Sequence, residues 1–191
     1  MTSKTGNIVQ GFYNKNPFPD YELDRFSSKT GLSVSAYPFA HILDRSIPVD
    51  ASIIDIGTGT GQLSAYLSLR RKCVWGIDFS DSSLKKAIAL KQKLKLDSWH
   101  LKKVDILNMD EIKDIGTKFD YVLCLGVLHH TEDAYKSFKN ILTLLKPKGY
   151  IAIGLYNKLG RIPLKVRKFL ARTIFKNNNR VKDYFIRLQI G

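Results

Sequence analysis

Two cysteines, Cys73 and Cys124, are all that 191 residues contain. Both fall inside apolar, strand-like segments, so reduced core thiols are expected here, not a disulfide framework. Histidines, cysteines and acids nowhere gather at metal-ligand spacing, so no metal is expected. No stretch approaches the roughly 18 consecutive apolar residues of a membrane span. Met1 to Gln10 is polar and lacks the apolar segment of a secretory signal, so a cytoplasmic location is expected. Acids are also scarce, 17 against 31 Lys and Arg, for a net charge of +14. Much of that imbalance sits at one end: Lys158 to Gly191 carries ten Lys or Arg against one acid, Asp183, a net of +9. The length suggests one domain with enough bulk for a real core.

What the chain does have is a run of apolar residues leading into glycines. Ala51, Ile53, Ile54 and Ile56 read as a strand covered on both faces. Gly57, Gly59 and Gly61 follow, and a helix begins near Gln62 and Leu63. Glycines at this spacing free the chain to turn sharply and let a ligand approach the backbone. The helix then aims its free N–H groups and positive end over the turn. The dinucleotide fingerprint G-x-G-x-x-G needs a glycine at position 62, where Gln62 stands. The spacing present is D-x-G-x-G-x-G, starting at Asp55.

That spacing resembles the first motif of the class I S-adenosylmethionine-dependent methyltransferases. In that family the glycine turn passes under the methionine end of the cofactor, and the acid helps hold its ammonium group. The next segments extend the resemblance. Cys73 to Ser80 reads as a second strand ending in Asp78, 23 residues after Asp55. A carboxylate there can accept from both ribose hydroxyls. The other reading of Asp78 is a helix cap, a place that Ser80 or Asp81 fits better. Trp99 to Val104 reads as a third strand, and the resemblance implies that Asp105 accepts from the adenine amino group with Ile106 against the ring. A plain loop aspartate is the alternative.

Phe119 to Gly126 is the fourth strand and its exit, followed by Val127-Leu128-His129-His130-Thr131. This is not the Asn/Asp-Pro-Pro-Tyr/Phe motif of enzymes that methylate amino groups on bases. It resembles the version found in many small-molecule O-, C- and N-methyltransferases. His130 or His129 could take a proton from an acceptor. Either could instead pack against the cofactor and orient the loop. Many methyl transfers need no strong base, because positioning supplies much of the rate.

The resemblance therefore implies S-adenosylmethionine as cofactor and S-adenosylhomocysteine as product. The implied contacts are Asp55, Gly57, Thr58, Gly59 and Gly61 around the methionine part, and Asp78 with Phe79 at the ribose. Asp105 and Ile106 fall at the adenine, and the backbone around Leu125 and Gly126 completes the wall.

Before the sheet, Ile8, Val9, Phe12 and Tyr13 fit a short helix, and Asn16-Pro17-Phe18-Pro19 an extended turn. Phe12-Tyr13-Asn14 with this turn resembles the leader of a bacterial methyltransferase subgroup. Phe39, Ile42 and Leu43 fit one face of a second helix, with Pro38 in its first turn. Leu84, Ala87, Ile88 and Leu94 mark a helix whose lysines face solvent. Asp133 to Lys146 fits another, with Phe138, Ile141, Leu142 and Leu145 inward. Lys146-Pro147-Lys148-Gly149 signals a stop and turn before a fifth strand, Tyr150 to Leu155.

The expected fold is a doubly wound, mostly parallel α/β sheet of the Rossmann-like methyltransferase type. A helical cap spans residues 1–50, the cofactor core 51–157, and a basic helical tail 158–191. The family's sheet has seven strands, and nothing after Leu155 reads as the last two, so a truncated or compact variant is expected. The tail could bind RNA phosphates, lie on an anionic surface, or dock with its charges in water. The expected function is methyl transfer to a small or medium-sized acceptor. The alternatives are an RNA methyltransferase using the tail as a phosphate-binding arm, and a non-catalytic cofactor-binding module.

Overall fold

A computed structural model describes Gly11, Asn14, Lys15 and residues 17–155. The helix expected around Ile8 to Tyr13 and the basic tail lie outside the described residues.

Among the described residues five strands form one sheet: β1 (Ile53–Ile56), β2 (Val74–Asp78), β3 (Trp99–Lys103), β4 (Phe119–Leu125) and β5 (Leu145–Gly154). Their order is β3-β2-β1-β4-β5, and every neighbouring pair is parallel. The chain starts in the middle and winds outward both ways. The reversal between β1 and β4 opens a crevice at the strands' carboxyl ends. Among the described residues six α-helices accompany it: α1 (Lys29–Val34), α2 (Pro38–Ser46), α3 (Gln62–Ser68), α4 (Asp81–Leu94), α5 (Met109–Lys113) and α6 (Ala134–Leu142).

β1 is buried on both faces, as its unbroken apolar run requires. Strand alternation sends Ile53 into one core with Leu63, Leu67, Leu90 and Trp99. Ile54 and Ile56 enter the opposite core with Ile77, Val122 and Ile141. Asp55 shares the face of Ile53. Caps mark the helix starts: Ser83 N–H bonds Ser80 Oγ, and Lys136 N–H bonds Asp133 Oδ1.

The structure corrects several local expectations. α2 turns Ala40 and Asp44 inward and packs the half-buried Leu43 on the core as expected, while Phe39 and Ile42 face solvent. On this inward face the buried Arg71 pairs with Asp44, and Ala40 packs on the same core as Leu43. In α4 the inward stripe runs through Ala87, Leu90 and Leu94, leaving Ile88 exposed. α6 ends at Leu142, which is exposed, because Thr143 caps it by donating its N–H and Oγ–H to Asn140 O. β5 begins at Leu145, so the Lys146–Gly149 turn is a bulge inside the strand. Phe119 pairs with Leu145 and Tyr121 with Tyr150, and Lys148 takes a φ of 63°. Cys124 is buried as expected, but Cys73 is only half-buried; both are free thiols.

Candidate functional site

The glycine turn is left-handed three times over, with φ of 67° at Gly57, 58° at Gly59 and 85° at Gly61. Protein atoms fill the space that the missing side chains leave. A Cβ on Gly57 would stand 2.4 Å from Val127 Cγ2, one on Gly59 2.2 Å from Phe18 O, and one on Gly61 2.3 Å from Trp99 Cη2. Each glycine is thus demanded by a different element: the β4 exit, the leader, and β3. The turn is also pinned to β2, because Thr58 N–H donates to Ile77 O at 2.9 Å.

Asp55 is the next-to-last residue of β1 and lies in the interior. Thr58 Oγ1–H donates to Asp55 Oδ2 at 2.8 Å, and Ser64 Oγ lies 2.5 Å from Thr58 Oγ1. A hydroxyl has one proton, so Ser64 donates to Thr58 while Thr58 donates to Asp55. Burial pushes the Asp55 carboxyl up to about 7, with the negative Asp78 adding to the rise against the Thr58 hydrogen bond. Among the described residues no cation pairs with it. Partial burial, then the charge of Asp55, raises the phenol of the leader's Tyr37 to about 12.

Asp78 stands one step beyond the paired Ile56 and Ile77. Gly59 N–H donates to its Oδ2 at 2.8 Å, and Ser80 N–H to its Oδ1 at 2.8 Å. Ser80 is the cap of α4, as expected, yet Asp78 is not idle: it braces the turn. A third backbone hydrogen bond, from Phe79, also reaches this carboxylate. Burial raises its carboxyl against these backbone bonds. Phe79 follows, half-buried. Asp105 makes a local turn, with Leu107 N–H donating to its Oδ1 at 2.9 Å. Ile106 is buried in the core beneath, and its carbonyl accepts from Asn140 Nδ2.

At the β4 exit, Leu125 is half-buried and Gly126 takes a φ of 77° while donating its N–H to Gly154 O. Leu128–His130 forms one 3₁₀ turn, closed by His130 N–H on Val127 O. The rings of His129 and His130 lie 4.0 Å apart, both half-buried.

Parallel strands bring Asp55, the glycines, Asp78 and the β4 exit to one edge of the sheet. Sequence reading missed Thr60 and Ser64, and the contacts that Tyr37 and Val127 make. Ser64 and Thr60 carry no motif signal, and the contacts of Tyr37 and Val127 depend on segments distant in sequence. The donor set fits a cationic nucleoside: a buried carboxyl that no cation pairs with among the described residues, a second carboxylate beside it, and a left-handed backbone cradle. The family described as methyltransferase domain matches residues 48–185 of the 191.

The chain belongs to the class I S-adenosylmethionine-dependent methyltransferases.

A ubiquinone biosynthesis O-methyltransferase of Coxiella burnetii is 30% identical over 108 residues, covering 56% of this chain and 44% of that protein. The chain thus spans less than half the length of this relative. The structure of PKMT2 from Rickettsia typhi superposes with a TM-score of 0.60 at 21% identity, over 73% of this chain and 28% of that one. A TehB-like S-adenosylmethionine-dependent methyltransferase from Corynebacterium glutamicum gives 0.54 at 23% identity, over 79% and 73%. These structures share the methyltransferase fold with this chain.

Proposed function

We propose that this chain binds S-adenosylmethionine at the carboxyl edge of the sheet and passes its methyl group to a small or medium-sized acceptor. The observation that carries the reading is the pair of acids, Asp55 and Asp78, flanking a three-glycine turn at the switch point of a methyltransferase sheet. When bound, the cofactor supplies a methyl group already activated on a sulfonium.

The chain's residues divide the work of binding. Asp55, with Gly57, Thr58, Gly59 and Gly61, takes the methionine part, its carboxylate meeting the ammonium. Asp78 accepts from the ribose hydroxyls, with Phe79 beside it. Asp105 and Ile106 take the adenine, and Leu125 and Gly126 line the remaining wall. His130 or His129 orients the acceptor loop or accepts a proton from the acceptor. The Coxiella burnetii relative is named an O-methyltransferase, which supports a hydroxyl-bearing acceptor. Residues 1–50 then act as a cap, 51–157 as the cofactor core, and 158–191 as a basic tail. A cytoplasmic location goes with this reading, and among the described residues no helix is long and apolar enough to cross a membrane. Nothing among the described residues favours RNA as the acceptor.

Calorimetry with S-adenosylmethionine, S-adenosylhomocysteine and, as control, NAD tests the site. Micromolar binding of the first two, none of NAD, and loss of binding in Asp78→Ala are expected. No binding of either cofactor form would sink the reading.

A further inference from the structure

Thr60 is wholly buried between the second and third glycines of the turn. All of its polar groups go to one short segment of the leader. Its N–H donates to Phe18 O at 3.3 Å, and its Oγ1–H to Pro19 O at 2.7 Å. Its own carbonyl accepts from Tyr21 Oη at 2.6 Å. The Phe18 carbonyl also occupies the place of the missing Gly59 Cβ. Gly59 in turn donates its N–H to Asp78 Oδ2. Further along, Ser80 Oγ donates to Asn14 Oδ1 at 2.9 Å, so the leader touches both arms of the candidate site. Burial pushes the Tyr21 phenol up to about 12, against the Thr60 hydrogen bond, so at neutral pH it stays a donor.

We propose that Thr60 is a positioning residue that binds residues 18–21 to the glycine turn, so that strap and turn hold the cofactor as one unit. The proposal rests on the cofactor reading above. The physical argument is one of constraint. A left-handed glycine is the least restricted residue in the turn, and its N–H keeps its aim at Asp78 only if its neighbours are fixed. Thr60 fixes one side of Gly59, and the Phe18 carbonyl closes the other. Removing the Thr60 hydroxyl frees Pro19, lets the Phe18 carbonyl drift, and releases Gly59 to rotate away from Asp78. A purely structural role for these hydrogen bonds would lower stability and leave the affinity of the folded protein unchanged.

The test is titration of S-adenosylhomocysteine into the full chain and its variants, each first shown folded by its melting curve. Thr60→Val, which keeps shape but loses the hydroxyl, is expected to raise Kd about tenfold. Thr60→Ser restores the donor and is expected to return Kd to within about twofold of the parent. Tyr21→Phe tests the strap independently, and its effect combined with Thr60→Val is expected to fall short of the sum. Hydrogen exchange gives a second readout: the ligand is expected to slow the Thr60 and Tyr21 amides together in the parent but not in Thr60→Val. Unchanged Kd in folded Thr60→Val, failure of Ser to rescue, or additive effects would each overturn the proposal while leaving the cofactor site standing. A parent chain that binds nothing overturns the site, and the strap proposal falls with it.

Discussion

Arg71 Nη1 stands 2.5 Å from Asp44 Oδ1, with the arginine side chain wholly buried. Every N–H of that guanidinium has an acceptor. Nε–H donates to Pro48 O at 3.2 Å. The Nη1 protons go to Asp44 Oδ1 and Leu67 O, and the Nη2 protons to Asp44 O and Ile47 O. The residue just after α3 thereby gathers the end of α2 and the approach to β1. Arg70 adds a more exposed contact to Asp44 Oδ2 at 2.9 Å.

Arg71→Ala is expected to cost about 3–5 kcal/mol, because it strands a buried carboxylate and four carbonyls. Arg71→Lys should recover only part, since an ammonium has three donors for five places. Urea denaturation measures both; a loss near that of an ordinary surface substitution would contradict the clamp. The acid side follows. Burial pushes the Asp44 carboxyl up, but hydrogen bonds from Arg71 and Arg70 outweigh it and hold it below the ordinary value. Stability from this pair is therefore full above the unfolded carboxyl's pKa and is lost as pH falls through the folded one.

Asp55 behaves in the opposite sense. Its folded value of about 7 lies above that of an unfolded aspartate, so the folded chain holds a proton that the unfolded chain has released. Its contribution to stability is full below about pH 4 and lost as pH rises towards 7. Ligand binding that places an ammonium beside Asp55 should expel that proton. Calorimetry at pH 6 in two buffers of different ionisation enthalpy is expected to show proton release, absent in Asp55→Asn. The same variant should melt no lower than the parent at pH 8 while binding S-adenosylhomocysteine at least tenfold more weakly. Equal heats in both buffers would argue that Asp55 is already ionised.

The glycines can be separated by their partners. Gly61→Ala drives a methyl into Trp99 at a φ of 85°, and should destabilise by about 2–4 kcal/mol. Gly57→Ala meets Val127 instead, a smaller side chain on a loop. Adding Val127→Ala should restore part of the loss at position 57, the remainder being backbone strain. Thermal melts of the double variant decide this; no recovery at all would place the whole penalty in the backbone.

The histidine pair is tested by kinetics once an acceptor is found. His129→Gln and His130→Gln are each expected to lower kcat by less than about tenfold, since positioning supplies most of the rate. A fall of about 100-fold or more in one of them, with the Kd for S-adenosylhomocysteine unchanged, would identify a general base.

The order of strands and helices, the glycine turn and the acids at 55 and 78 were legible because each rests on local chemistry. An apolar run buried on both faces, a left-handed turn and a capping serine impose themselves over a few residues. Helix faces were less legible. In α2 the apolar pattern pointed to Phe39, Ile42 and Leu43, but only Leu43 packs on the core, beside Ala40 and an Asp44 that is paired with a residue 27 positions away. The turn after α6 was visible in Lys146 to Gly149, but its absorption into β5 depends on pairing with β4.

The sequence by itself thus determined the class of sheet, the family, and which acids stand near the glycine turn. Only the tertiary structure decided what those groups do to one another: Asp78 bracing Gly59, burial raising the Asp55 carboxyl, and Thr60 tying the leader to the turn. Such relations join residues 19 to 42 positions apart or depend on the dielectric around a buried group. No local pattern encodes them, because they exist only when packing has brought the segments together and excluded water.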